Sequence, residues 1–439
     1  MKEQNNNNEY PRLLILSHAC LSTTDSNGRT LRNFLIGWPK EKIAQFCLQR
    51  NNPDFSVCNN FYCITDREAL NAFKLKGTKD GRLDGDKYAE MIKRMKASPS
   101  QTHKKGIHRN PISMIVRNVV WSSGLWKGKH FNEWLEAFSP EVILIQAGDF
   151  AYMFKLARQL SKKYHAPIVL YNSEVYYFKN FDYFGSKGIK KSFYPLFRTM
   201  LRRQYRKCMK LVSNSIYACE MIEDEYKKEF KSPSKTIYTA TEIVPNRSNE
   251  NNDEFIVSYL GNLGVDRHIG LVAIAEALQN ISKDLKLHVY GKIPNERVFS
   301  SFKACDGIVY HGFVSYEEVV SIMQKSDLLV HAEHFDDYCK KDLKYAFSTK
   351  IADSLASGTC FLLYAPEEMA CSKYLIENSA AYVATDYSSL VDMLSKIYFS
   401  KEKRDKYIDT ALALVKKNHT ASENAQKFQN ILINAYKIQ

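Results

Sequence analysis

The stretch Tyr345–Tyr364, YAFSTKIADSLASGTCFLLY, leaves little freedom in how it folds. Phe347, Ile351, Leu355 and Ala356 recur at helical spacing, Ser348 is a favourable N-cap, Gly358 stands where a helix stops, and Cys360–Leu363 is a short apolar run. The pattern predicts a helix feeding a buried strand. Its first turn carries Ser348, Thr349 and Lys350, so unpaired backbone N–H groups, a hydroxyl and an ammonium converge where a phosphate can bind. Asp353, about one turn further in, suits sugar hydroxyls rather than that anion. These residues fit a nucleotide sugar, and they equally fit a capped helix with a solvated lysine.

The rest of the chain repeats the same alternation. Leu13–Leu16 reads as a strand, followed by a loop rich in small polar residues in which Asn27 and Gly28 mark a tight turn before a helix from about Thr30. Further strands are expected at Ala44–Leu48, Val57–Ile64, Val142–Gln146, Ile168–Tyr171 and Leu211–Ile216. Helices are expected at Arg82–Ala97, within Ile112–Phe138, at Asp149–Tyr164 and at Glu220–Phe230. Asn172 and Glu174 follow a strand's carboxyl end, where open α/β sheets receive ligands. The segment TEIVPNRSNENND, residues 241–253, is polar and aperiodic and reads as an interdomain linker.

The second half restarts with the strand Phe255–Leu260, then Gly261, Asn262 and Arg267 at the start of a helix running through Ile269–Ile281. Lys292 follows the strand Leu285–Tyr290, a second cation at a carboxyl end. Strands at Gly307–His311, Leu328–His331 and Cys360–Leu363 continue the series. Two helices close the chain, with Phe428, Ile431, Leu432 and Tyr436 forming an apolar stripe on the last. The expected layout is a polar tail at 1–10, an α/β domain at 11–240, a second at 254–420 facing it across a cleft, and a terminal helix at 421–439 crossing back to the first. A chain of 439 residues exceeds one ordinary core, which agrees with two domains.

Residues 1–10 lack the apolar region of a signal peptide, and no run is long enough to span a bilayer, so a cytoplasmic location is expected. Ten scattered cysteines, without a CxxC or a zinc spacing, suit buried thiols rather than metal ligands. The net charge of +14 asks for an acidic partner. Residues 187–210 carry nine Lys and Arg, no acid, and interleaved Phe193, Tyr194, Leu196 and Phe197, a composition suited to an anionic membrane surface or to a solvated helix face. No zinc-finger, RNP or helix-turn-helix pattern points to nucleic acid.

Taken together, YLGNLGVDRHIG, HVYGKIPNE, YHGFVSYEEVV, SDLLVHAE and FSTKIADSLASGTCFLLY fall in the order found in the C-terminal domain of group 1 retaining glycosyltransferases, and Phe255–Tyr364 resembles that domain. The resemblance implies the GT-B architecture of two Rossmann-like domains, with a nucleotide diphosphate sugar as donor and no metal cofactor. It is similar to a variant branch from polysaccharide gene clusters. Asp353 matches the second carboxylate of the family's Glu, seven residues, Glu signature, whereas Tyr345 stands where the first belongs. Glu333 is the candidate replacement, with Asp336 and Asp337 behind it.

The resemblance also implies that Arg267 meets the donor diphosphate and that the amides of Ser348 and Thr349 face the phosphates. Lys350 and Lys292 would make up for Asn262, which replaces a common Arg. Asn27, Gly28, Asn172 and Glu174 are the acceptor-side candidates, for a glycan or lipid-linked glycan. The implied activity is retaining hexosyl transfer in surface polysaccharide synthesis. Rival readings are a nucleotide-sugar epimerase of the same fold and a non-catalytic transferase-like subunit.

Overall fold

The computed structural model describes residues 10–50, 52–90, 109–246 and 254–438. The chain divides into two compact units, one of residues 1–237 with 422–439 and one of residues 238–421.

In the first unit seven parallel strands, β1 (Leu13–Leu16), β2 (Ile43–Cys47), β3 (Asn60–Cys63), β4 (Val142–Gln146), β5 (Ile168–Asn172), β6 (Val212–Tyr217) and β7 (Ser234–Thr236), lie in the order β3-β2-β1-β4-β5-β6-β7. Strands covered on both faces must be apolar throughout rather than alternating. LLIL of β1 meets that demand, with all four residues at 0% exposure. The second unit has the parallel strands β8 (Val257–Leu260), β9 (Leu287–Tyr290), β10 (Ile308–Gly312), β11 (Leu328–Ala332), β12 (Cys360–Tyr364) and β13 (Tyr382–Ala384), ordered β10-β9-β8-β11-β12-β13. Both sheets reverse direction of growth once, between β1 and β4 and between β8 and β11. Crossovers leave such a switch point on opposite faces and open a crevice at the strands' carboxyl ends.

The terminal helix Ala421–Lys437 belongs to the first unit. Phe428 stacks on Phe34 with centroids 4.6 Å apart, and Gln429 donates to the carbonyls of Phe34 and Ile36. Its buried stripe runs through Phe428, Leu432 and Ile433, not Tyr436, which is 38% exposed.

Several expectations shift in detail. The first helix begins at Ser26 rather than near Thr30, because Asp25 caps it by accepting from the amides of Asn27 and Gly28. Asn27 and Gly28 are therefore helical, not a turn. The helix expected at 82–97 and the linker at 241–253 lie partly outside the described residues, and Thr241–Asn246 belong to the second unit. The basic segment is not one solvated face. In the helix Tyr194–Met209, Tyr194, Phe197, Leu201 and Tyr205 are buried, while Arg202 and Arg206 both pair with Glu229. All ten cysteines are free thiols. Among the described residues no helix is long and apolar enough to cross a membrane.

Candidate functional site

At the β8/β11 switch point the chain leaves β8 through Gly261–Asp266, a loop tied to itself. The Tyr259 hydroxyl donates to the Asn262 carbonyl at 2.7 Å, and the Gly264 amide donates to Asn262 Oδ1 at 2.9 Å. Val265 and Asp266 follow with φ of +57° and +52°, a left-handed pair that turns the chain into the helix Arg267–Ile281. Gly291 makes room for this loop, since a Cβ there would run into the Gly261 carbonyl oxygen.

Arg267, at the head of that helix, reaches Glu333 just past β11. Its Nε donates to Oε2 at 3.0 Å and its Nη2 to Oε1 at 2.7 Å, while Nη1 lies 3.5 Å from the Asn262 carbonyl. His331 Nε2 stands 3.0 Å from Glu333 Oε1, and against an ionised carboxylate the ring nitrogen is the donor. Burial by itself would push Glu333 up, but the His331 hydrogen bond and the Arg267 charge outweigh it and hold the carboxyl below its ordinary value. Burial pushes His331 down, so the imidazole is neutral, and the charge of Lys350 adds to that push. Arg267 stays firmly charged because Glu333 overcomes the effect of burial.

Lys350 lies in the first turn of the helix Thr349–Ala356, capped by Ser348, whose hydroxyl accepts from the Lys350 amide. His331 and Lys350 line one small cavity with Leu260 and Ser354. Asp353 is 8% exposed and accepts from the Thr241 hydroxyl at 2.8 Å. Gly261 is half-buried, whereas Asn262 and Lys292 are exposed at the carboxyl ends of β8 and β9.

The structure thus brings together Arg267, Glu333 and Lys350, and adds His331, which the sequence reading passed over inside an apolar strand. Among the described residues no cluster of three or more His, Cys, Asp or Glu side chains suits a metal ion.

Residues 267–430, the stretch that begins at Arg267, match a protein-family model described as "Glycosyl transferase-like". The chain has the GT-B fold, and its residues 267–430 are similar to that glycosyltransferase family. No curated protein sequence matches it. Sucrose-phosphate synthase from Thermosynechococcus elongatus aligns over 98% of this chain and 100% of its own, with 12% identity and a TM-score of 0.62. HepE from Anabaena, solved with UDP and glucose, aligns over 96% and 99% at 10% identity with a TM-score of 0.60. Trehalose 6-phosphate synthase from Burkholderia multivorans aligns over 98% of both chains at 12% identity with a TM-score of 0.58.

Of the four acceptor-side candidates, two are buried in the packing of the first unit. Asn172 is 0% exposed and its Oδ1 accepts from the Tyr205 hydroxyl at 3.0 Å. Gly28 is buried, where a Cβ would strike the Cys20 carbonyl, so it serves close packing of the first helix. Asn27 is exposed on that helix and Glu174 is half-buried in the loop after β5.

Proposed function

We propose that this glycosyltransferase moves a hexose from a nucleotide diphosphate sugar to a glycan or lipid-linked glycan, with retention, in the synthesis of a surface polysaccharide. The observation that supports the donor half is the row Lys350, His331, Glu333 and Arg267, which sets two cations and a helix amide end about the β8/β11 switch point. HepE, solved with UDP and with UDP-glucose, supports a uridine nucleotide as the first to test.

In this reading Arg267, Lys350 and the amides of Ser348 and Thr349 stabilise the negative charge that builds on the leaving diphosphate, with no metal required. As the C–O bond to that phosphate breaks, the acceptor oxygen attacks the same face of the sugar and its proton passes to the departing phosphate oxygen. Glu333 enters as the group that fixes the Arg267 fork, its Oε2 and Oε1 accepting from the guanidinium and Oε1 also from His331. Lys292 adds an outer cation, and Asp353 is braced by Thr241.

A lipid-linked acceptor would place the enzyme on the cytoplasmic membrane face. Lys187, Lys190 and Lys191 are exposed beside Ile189, itself 74% exposed, and Leu196, 50% exposed. Charge reversal at those lysines then abolishes binding to anionic vesicles, and unchanged binding refutes the membrane clause.

The decisive assay is incubation with UDP-glucose and other nucleotide sugars, with and without acceptor glycans. Product that needs acceptor supports transfer. An altered donor sugar without acceptor means epimerisation, and neither product means a binding subunit.

A further inference from the structure

The switch-point rule that places the donor row in the second unit applies equally to the first, where growth reverses between β1 and β4. His18 stands just past β1 and Asp149 just past β4. We propose that this crevice binds the acidic end of an acceptor sugar, one carrying a phosphoryl or carboxyl group, gripped by Arg117 and Arg109 with His18 on its floor. The proposal rests on the transferase reading for the word acceptor, and on the first unit alone for the site.

Arg117 is built as an anion fork. Its guanidinium lies 4.0 Å from the Phe150 ring centroid, and its Nε donates to Asp66 Oδ1 at 2.7 Å. The side chain is 14% exposed, yet its two terminal nitrogens bond to no described residue and are not sealed from solvent. A guanidinium anchored at one nitrogen, with its flat end open, is prepared for two parallel hydrogen bonds to an oxyanion. Arg109 is held differently: it donates through the terminal Nη2 to Asp149 Oδ2, which also accepts from the Tyr183 hydroxyl at 2.9 Å, and its guanidinium lies 5.5 Å from the Phe184 ring centroid in a side chain 56% exposed.

His18 lies within electrostatic reach of both arginines and both aspartates. Its side chain is exposed, yet burial is the largest cause pushing its imidazole down to about 4. Both hold for a group on the floor of a recess, crowded by protein but reached by water. Its ring makes no hydrogen bond to a described residue, so a neutral imidazole is available to a sugar hydroxyl. Anchored arginines, an aromatic wall and an uncommitted imidazole match a sugar ring with one acidic substituent.

The test is calorimetric titration of the full chain, saturated with UDP, with glucose 6-phosphate, glucuronate and methyl α-glucoside. At least one acidic sugar is expected to bind at least tenfold tighter than methyl α-glucoside, and which one binds separates phosphoryl from carboxyl. R117Q, R109Q and R117K, which keeps the charge without the fork, each weaken that binding at least tenfold while UDP affinity stays within twofold, which also shows that they fold. Equal binding of the neutral sugar, no binding of either acid, or unchanged binding by R117Q overturns the proposal. Failure of the wild type to bind UDP would count against the donor reading instead, and the acidic-sugar titration then decides this site by itself.

Discussion

Arg267 and Glu333 meet as a two-pronged ion pair, with side chains only 13% and 6% exposed. Breaking such a pair from one side strands a buried charge, which costs about 3–5 kcal/mol, whereas replacing both partners with apolar groups of like volume costs far less. E333A is therefore expected to lower the unfolding free energy by about 3 kcal/mol or more, and R267M/E333L to recover much of it. Urea unfolding of the two variants checks this. Equal losses in both would mean the pair is not the source.

A second expectation concerns pH. His419 is 0% exposed, its Nδ1 donates to the Thr239 carbonyl, and its Nε2 accepts from the Tyr374 hydroxyl. Burial pushes its imidazole down to about 4, against the backbone hydrogen bond. The unfolded chain takes up a proton near pH 6.5 while the native chain refuses it until about pH 4. The unfolded state binds more protons in that window, so stability is complete above pH 6.5 and falls as pH drops toward 4, by about 3 kcal/mol at 1.36 kcal/mol per unit. H419Q flattens the slope between those values in denaturant titrations. An unaltered slope assigns the acid sensitivity elsewhere.

Gly291→Ala tests the loop that carries Arg267. The added Cβ meets the Gly261 carbonyl, which is backbone and cannot swing aside, so the turn into the helix Arg267–Ile281 must move. The donor KM should rise at least tenfold, with a smaller change in the acceptor KM. Equal changes in both would point to general damage.

Phe428→Ala tests the return of the terminal helix. Phe428 is 0% exposed and packs on Phe34 and Tyr171. Truncation in such a core costs about 3–5 kcal/mol, and hydrogen exchange should show the loss in the strands β1–β6 of the first unit. A loss confined to the terminal helix would contradict its place in that core.

The alternation of apolar strands and amphipathic helices was readable because strands buried on both faces cannot hide their composition. Arg267, Ser348 and Lys350 were also readable, since helix starts carry local signals. The bond between Arg267 and Glu333 was not, because the residues are 66 apart in sequence and only the parallel sheet brings their loops together. His331 looked like part of an apolar strand run. Asn27 and Gly28 looked like a turn because the signal of that dipeptide outweighed the cap offered by Asp25. Arg202 and Arg206 looked like cations for an anionic membrane surface or for solvent, since nothing local announces Glu229 as their partner.

The central claim is that the second unit holds a diphosphate between Arg267 and Lys350. Calorimetric titration of UDP into the wild type, R267A and K350A tests it most directly, with R267M/E333L as the variant that keeps the fold without the charge. The wild type should bind UDP, and each variant should lose at least tenfold in affinity. Wild-type affinity in R267M/E333L and K350A would show that the diphosphate is held elsewhere.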